Sequence, residues 1–221
     1  MKYLVFCLSF ALLALLPFAL AQDAATMPLQ REVEGNTIRS PQLPKAELKL
    51  GKDFEYVGGQ RFTLYGVAEA EQHLFVKKVS GNTVDRFYWV QFEHYLPNNS
   101  HTYNYKAVRT AEIGGLQFAY DTEGHSDYES VNHNPASDGG RAIALLAKRG
   151  LALPRRAVRL RMFHFASDRR SELMIIYGEA LAAGATVAMS EDGTSLDDSS
   201  PDEARRVLEH ARAGLTIRIP Q

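Results

Sequence analysis

The densest group of potentially reactive side chains in this sequence lies between Arg86 and Lys106, in the stretch RFYWVQFEHYLPNNSHTYNYK. It contains seven aromatic residues, two histidines and one acidic residue. Tryptophan and tyrosine rings offer a flat apolar surface with one polar atom each, which suits sugars, aromatic ligands and peptides. Histidine and glutamate add groups that transfer protons or bind metals. The stretch therefore suggests either a ligand-binding surface or a catalytic site.

The two-residue period of a β-strand sorts these side chains into two faces. Tyr88, Val90, Phe92, His94 and Leu96 form the more apolar face, which we expect to meet the core. The opposite face mixes rings with Gln91 and Glu93, and we expect it to bind a ligand together with tyrosines of the next aromatic strand. The predicted ligand-binding residues are Trp89, Gln91, Glu93, Tyr95, Tyr103 and Tyr105. The competing interpretation is that these rings only stabilise a sheet as cross-strand partners.

Four histidines give an alternative, a metal-assisted or acid/base hydrolase. His94 and His101 flank the turn LPNNS, and His125 and His133 lie in the polar segment GHSDYESVNHNPA. Imidazole combined with carboxylate suits zinc or iron, and we predict a cofactor only under this alternative. The spacing matches no H-x-H or H-E-x-x-H motif, so solvated loop histidines are the competing interpretation.

Other catalytic signatures are missing from the sequence, which contains no G-x-S-x-G and no glycine-rich phosphate-binding spacing. Asp138 and the following glycines are interpreted as a simple helix start. We expect Arg159 and Arg161 to lie on a solvated sheet face and to pair with Glu172 and Glu179. No motif therefore indicates an enzyme.

The first 21 residues, MKYLVFCLSFALLALLPFALA, have the pattern of a secretory signal peptide. Lys2 precedes a long apolar run, Pro17 interrupts it, and Ala19 and Ala21 occupy the positions that a signal peptidase requires. An uncleaved anchor is the alternative, because the run is nearly long enough to span a bilayer. We predict cleavage before Gln22, a periplasmic or extracellular protein, and no membrane span after cleavage.

Cysteine content and charge exclude several classes of function. Cys7 is the only cysteine and lies within the signal, so the mature chain has no disulfide, no thiolate catalysis and no cysteine-ligated metal. Without Lys2, the mature chain carries 24 basic and 26 acidic residues, a net charge of 24 − 26 = −2. This balance gives no reason to expect nucleic acid as a partner, and leaves a small molecule or a protein.

The elements that must position these residues follow a strand-rich order. After a flexible leader over residues 22–47, strand patterns separated by turn residues continue to Tyr120. A buried helix follows Ser137, then the hairpin VRLRMFHFA/ELMIIYGEAL, a second helix opened by the capping box Ser200-Pro201-Asp202-Glu203, and the closing strand LTIRI. This order predicts a single α+β domain over residues 48–221. We expect two layers, with a mostly antiparallel, twisted sheet of about seven to eight strands packed against two helices.

Three functions are compatible with these patterns. The leading hypothesis is an exported α+β binding or interaction module that uses its aromatic sheet face. The alternatives are the hydrolase that uses the four histidines, and a structural envelope protein without a small-molecule site.

Overall fold

The structure, a computed structural model, describes residues 27–105, 109–125, 134–181 and 201–220. Within these ranges the chain forms two antiparallel sheets and two helices. The strands are β1 Glu32–Glu34, β2 Thr37–Ser40, β3 Ala46–Leu50, β4 Glu55–Leu64, β5 Ala68–Lys78, β6 Val84–Tyr95, β7 Arg109–Ile113, β8 Leu116–His125, β9 Ala157–Phe165, β10 Ser171–Ala180 and β11 Leu215–Arg218. The helices are α1 Asp138–Ala147 and α2 Pro201–Ala213.

The large sheet has seven strands in the order β4-β5-β6-β10-β9-β8-β7. Strand β10 lies at its centre and pairs antiparallel with β6 on one side and β9 on the other. Its sequence SELMIIYGEA alternates between two faces that are both rich in apolar residues, and its first nine residues are all buried. A strand that is buried on both faces requires a covering layer on each side of the sheet.

One of these layers is a small sheet of order β1-β2-β3-β11, together with α2. Ile38, Leu48, Val207 and Ile217 from this layer belong to the same buried cluster as Phe92 of the large sheet. We call the covered side of the large sheet the small-sheet face.

Strands β1 and β2 lie within residues 22–47, for which the sequence predicted a flexible leader. Their connecting turn places Gly35 at φ 55°, a conformation that glycine adopts without steric cost. This hairpin extends the sheet that β3 and β11 form, so the segment contributes to the covering layer.

Helix α1 covers the opposite side of the large sheet, which we call the α1 face. Ser137 caps the helix, since its side chain accepts a hydrogen bond from the backbone N–H of Gly140. Ala142 and Leu146 of α1 cluster with Trp89 and Ile176 of the large sheet. The two covering layers therefore bury both faces of the central strands.

The predicted α+β class is confirmed, with antiparallel strands and two helices. The structure adds to the prediction that the strands divide into two sheets and that the helices lie on opposite faces of the large one. Neither α1 nor α2, the helices of the described residues, has the length and apolar character of a membrane span.

Candidate functional site: a buried acid pair beneath an aromatic cluster

Buried polar side chains concentrate at one end of the large sheet. Seven of the ten buried polar or charged residues in the described ranges lie on β5, β6 and β10 near this end. They are Glu71, Gln72, His73, Gln91, Glu93, Ser171 and Glu172. Burying such groups costs free energy unless they are well paired, so their clustering marks a candidate functional region. We call it the polar end.

On the α1 face, the polar end contains a ladder of side-chain amides. Gln60 Nε2 donates to Gln72 Oε1 over 2.9 Å, and Gln72 Nε2 donates to Gln91 Oε1 over 2.7 Å. Trp89 Nε1 donates to the same Gln91 oxygen over 2.8 Å, and Gln91 Nε2 donates to Glu93 Oε1. The ladder therefore directs its donors towards the carboxylate of Glu93.

Glu93 on β6 lies directly opposite Glu172 on β10. Directly opposed residues of antiparallel strands place their Cβ atoms about 4.5–5.5 Å apart, so the two carboxyl groups are neighbours. Glu93 is 7% exposed and Glu172 is 1% exposed. Tyr103 OH donates to Glu93 Oε2 over 3.0 Å, and Tyr105 OH donates to Glu172 Oε1 over 3.3 Å. The second oxygen of Glu172 has no hydrogen-bond partner among the described residues.

Burial is the main cause that raises the pKa of both glutamates above the usual value. For Glu172, the nearby charge of Glu93 raises the pKa further, and only Tyr105 opposes this through a hydrogen bond. For Glu93, donors from Gln91 and Tyr103 partly offset the effect of burial. Glu172 is therefore the member of the pair that holds a proton more firmly, and Glu93 is the better acceptor.

Aromatic rings cover the acid pair. Tyr95 and Tyr103 stack with ring centroids 4.3 Å apart, and Tyr105 lies 4.6 Å from Phe163 and 5.6 Å from Phe165. Tyr103 is buried, whereas Tyr105 is 44% exposed. Tyr105 thus connects the solvent to the carboxyl group of Glu172. We call these five residues the aromatic cluster.

Two of these rings already contact cations from the chain itself. The guanidinium carbon of Arg169 lies 5.1 Å from the ring centroid of Phe165, and that of Arg161 lies 5.7 Å from Phe163. Both distances are within the range of cation–π attraction. The aromatic cluster therefore offers faces that attract positive charge.

The structure brings together the side chains that the sequence predicted as a ligand-binding face. Trp89, Gln91, Glu93 and Tyr103 take part in one hydrogen-bond network, and Tyr95 stacks on Tyr103. Trp89, Gln91, Glu93 and Tyr103 are all buried, so this face is enclosed rather than open to solvent. The sixth residue, Tyr105, is the one with substantial exposure.

The structure does not bring the predicted histidine cluster together. His94 contacts Ser171 on the small-sheet face, whereas His101 lies near the ring of Tyr95 on the α1 face. The backbone of His125 pairs with Ala157, at the other end of the sheet from His94. His133 lies outside the described residues. No group of three or more His, Cys, Asp or Glu side chains in the described ranges has the geometry of a metal site.

Sequence reasoning missed Glu172 and Asp138 as members of the site. We expected Glu172 and Glu179 to pair with arginines of β9 on a solvated face. Glu179 instead lies on the small-sheet face, where Arg206 and His210 of α2 bind it over 2.8 Å each. Asp138, interpreted as a helix start, also places its carboxylate 3.5 Å from Gln91 Nε2. Glu172 follows Ser171 in the stretch SELMII, so its local sequence carries no signal for its burial.

A second polar cluster lies on the small-sheet face of the polar end and was also missed. Glu71 accepts hydrogen bonds from the backbone N–H groups of Gln30 and Arg31 over 2.8 and 2.9 Å, and contacts His73 Nε2 over 3.0 Å. The other nitrogen of His73 lies 3.1 Å from Tyr56 OH. These contacts outweigh the effect of burial and lower the pKa of Glu71, which stays ionised and holds the N-terminal segment against the sheet.

No family model, curated protein or solved structure matches this chain. The site's own geometry is therefore the basis for a functional assignment.

Proposed function

We propose that the protein is an exported binding protein that takes an organic ammonium ion at the Glu93–Glu172 pair, with the apolar part of the ligand against the aromatic cluster. The observation that carries this proposal is the carboxyl group of Glu172, which is 1% exposed and has one oxygen without a partner among the described residues. A buried carboxyl with unused acceptor capacity is costly unless a ligand or a proton satisfies it. The signal-like N-terminus supports the exported location.

Electrostatics favour a cation over an anion at this position. The carboxyl groups of Glu93, Glu172 and Asp138 belong to the same buried network. The charge of Asp138 raises the pKa of both glutamates, and the charge of Glu93 raises the pKa of Glu172. A positively charged ligand relieves this repulsion, and an anion increases it. The aromatic cluster adds cation–π attraction, of the kind that recognises methylated ammonium groups in other proteins.

Binding should displace the proton of Glu172. In the free protein the raised pKa keeps this carboxyl protonated at neutral pH, whereas an ammonium ion stabilises its ionised form. The affinity for a ligand of fixed charge should therefore increase with pH up to the pKa of Glu172 in the free protein.

The fluorescence of Trp89 provides a direct assay, because it is the only tryptophan in the chain and is hydrogen-bonded within the network. We expect benzyltrimethylammonium to change this fluorescence saturably, and phenylacetate and benzyl alcohol to leave it unchanged. Glu172→Gln should weaken binding roughly tenfold or more, which corresponds to about 1.4 kcal/mol.

Glu179→Gln is the matched control, because Glu179 is also buried on β10 but faces α2. It should leave the affinity unchanged. Equal binding of phenylacetate and benzyltrimethylammonium, or equal affinity of the wild type and Glu172→Gln, contradicts the proposal.

The hydrolase that uses His94, His101, His125 and His133 stays a prediction.

A further inference from the structure

A concavity of 280 Å3 opens at the polar end on the small-sheet face. Its floor is formed by β4, β5, β6 and β10, and its walls include Arg31 and Leu43 from the covering layer. Phe92, His94 and Ser171 line it from the face of β6 and β10 opposite to Glu172, and Glu93 also contributes to its lining, so it adjoins the proposed ammonium site on the other face of the sheet. We call it the small-sheet cleft.

Arg31 and Arg61 line this cleft together with the acids Glu69, Glu71, Glu93 and Asp168, and each of these acids already has a partner within the chain. Arg31 Nη1 lies 3.4 Å from Glu71 Oε2, and Arg61 pairs with Glu69. Glu71 is buried, whereas 37% of the Glu69 side chain is exposed, so the paired donor and acceptor that a ligand can reach are those of Arg61 and Glu69. A ligand that both donates and accepts hydrogen bonds, and carries no net charge, fits such a surface better than an ion does.

A chain of hydrogen bonds fixes the orientation and tautomer of His94. Burial opposes ionisation of Asp168, but donors from the N–H groups of Arg170 and Ser171 and from the Ser171 hydroxyl outweigh it and lower the pKa of Asp168. Ser171 Oγ donates its one proton to Asp168 over 3.1 Å, so it accepts from His94 Nδ1–H over 2.9 Å. In neutral His94, Nε2 is then an acceptor, and it has no partner among the described residues.

The direction of these hydrogen bonds does not fit Ser171 as a nucleophile. Its hydroxyl proton points to Asp168 rather than to the histidine, and the residue is buried. A serine nucleophile requires the reverse arrangement, in which the histidine accepts the hydroxyl proton. Ser171 therefore positions His94 rather than acting as a nucleophile.

We propose that the small-sheet cleft binds an uncharged polyol of about monosaccharide size, with one hydroxyl donating to His94 Nε2. At roughly 30 Å3 per water molecule, the cleft has room for about nine waters, comparable to a single sugar ring with its hydroxyls. Leu43, which is 48% exposed, supplies apolar surface for the C–H groups of such a ring, while Arg61 and Glu69 match its hydroxyls.

Histidine-selective 15N NMR of the full chain tests this proposal with myo-inositol, D-glucose and D-galactose as probes. We expect at least one polyol to shift the His94 resonances saturably at millimolar concentration. His94→Leu should weaken binding roughly tenfold or more by calorimetry. Ser171→Ala should weaken it as well and change the His94 tautomer signature, because Nδ1 loses its acceptor.

His164→Leu is the control for a histidine substitution, since His164 lies on the same face of the sheet but its Nδ1 contacts Gln117 O and it does not line the cleft. It should bind the polyol like the wild type. The proposal is overturned if none of the three polyols shifts His94, if His94→Leu binds as tightly as the wild type, or if acetate or ethylammonium binds the cleft more tightly than every polyol.

Discussion

Replacing Glu172 with glutamine should change how the free energy of unfolding depends on pH. Burial and the charge of Glu93 raise the pKa of Glu172 in the folded state. Glutamine has the shape of the protonated acid and carries no charge at any pH. The two proteins should therefore be similar in stability at acidic pH and diverge as the pH rises.

The sign and size follow from proton linkage. Glu172 contributes stability that is complete below its unfolded pKa of about 4.3 and is lost as the pH rises through its raised folded pKa. Between these values unfolding releases one proton from this group, so wild-type stability falls by about 1.4 kcal/mol per pH unit from this source. Glu172→Gln lacks this loss and should become about 2–3 kcal/mol more stable, relative to the wild type, between pH 5 and pH 7.

Urea denaturation followed by Trp89 fluorescence at several pH values measures the difference directly. Glu179→Gln is an informative control because the pKa of Glu179 is lowered: burial opposes ionisation, but hydrogen bonds from His210, Tyr177 and Arg206 outweigh it. Its contribution is present above the unfolded pKa and is lost as the pH falls through the folded pKa, so this variant should be destabilised at pH 7 and recover towards acidic pH. Parallel curves for the wild type and Glu172→Gln would refute the assignment of a raised pKa to Glu172.

Three further substitutions test the packing around the polar end and the central strands, each by urea denaturation. Glu71→Gln should cost about 3 kcal/mol, because it removes the charge that holds buried donors of the N-terminal segment; a loss below about 1 kcal/mol contradicts this role. Gly178→Ala should cost about 1–3 kcal/mol, since an added Cβ would lie 2.1 Å from Phe87 Cε1; an unchanged midpoint contradicts that packing. Tyr88→Phe should cost about 1 kcal/mol through loss of the 2.6 Å hydrogen bond to Ala211 O, and an unchanged free energy of unfolding contradicts this contribution.

Strand parity predicted the division of β6 well. The sequence placed Tyr88, Val90, Phe92, His94 and Leu96 towards the core. The first three lie in the cluster beneath the small sheet, whereas His94 is exposed. Alternation is a local property of the chain, so it can be read directly from RFYWVQFEHY. The start of a helix after Ser137 was likewise predicted from local residue types, and Ser137 caps α1 in the structure.

The burial of Glu172 could not be read in the same way. Its neighbours on the chain indicate a strand, but the charge of a glutamate normally marks a solvent-facing position. Its enclosure depends on Tyr105 and on the neighbouring strand β6, which reach it only through the tertiary fold. A pair such as Glu93 and Glu172 becomes visible only when the register of β6 against β10 is known.

The second sheet was missed for a related reason. β3 and β11 pair although Leu50 and Leu215 lie far apart in the chain. The short segments AELKL and LTIR each carry a strand pattern, but no local signal states that they are partners or that they cover the large sheet. Long-range pairing of this kind is set by packing of the whole core rather than by propensity.

Proton release on ligand binding is the most direct measurement of whether the Glu93–Glu172 pair is an ammonium site. Calorimetric titration of the protein with benzyltrimethylammonium at pH 7, in two buffers of different ionisation enthalpy, gives the number of protons displaced. Because this probe does not titrate, any proton must come from the protein. We expect release approaching one proton per bound ligand in the wild type and a markedly smaller release in Glu172→Gln, in which Glu93 alone keeps a raised pKa. Binding without proton release, or no binding by the wild type, contradicts the assignment of the Glu93–Glu172 pair as an ammonium site.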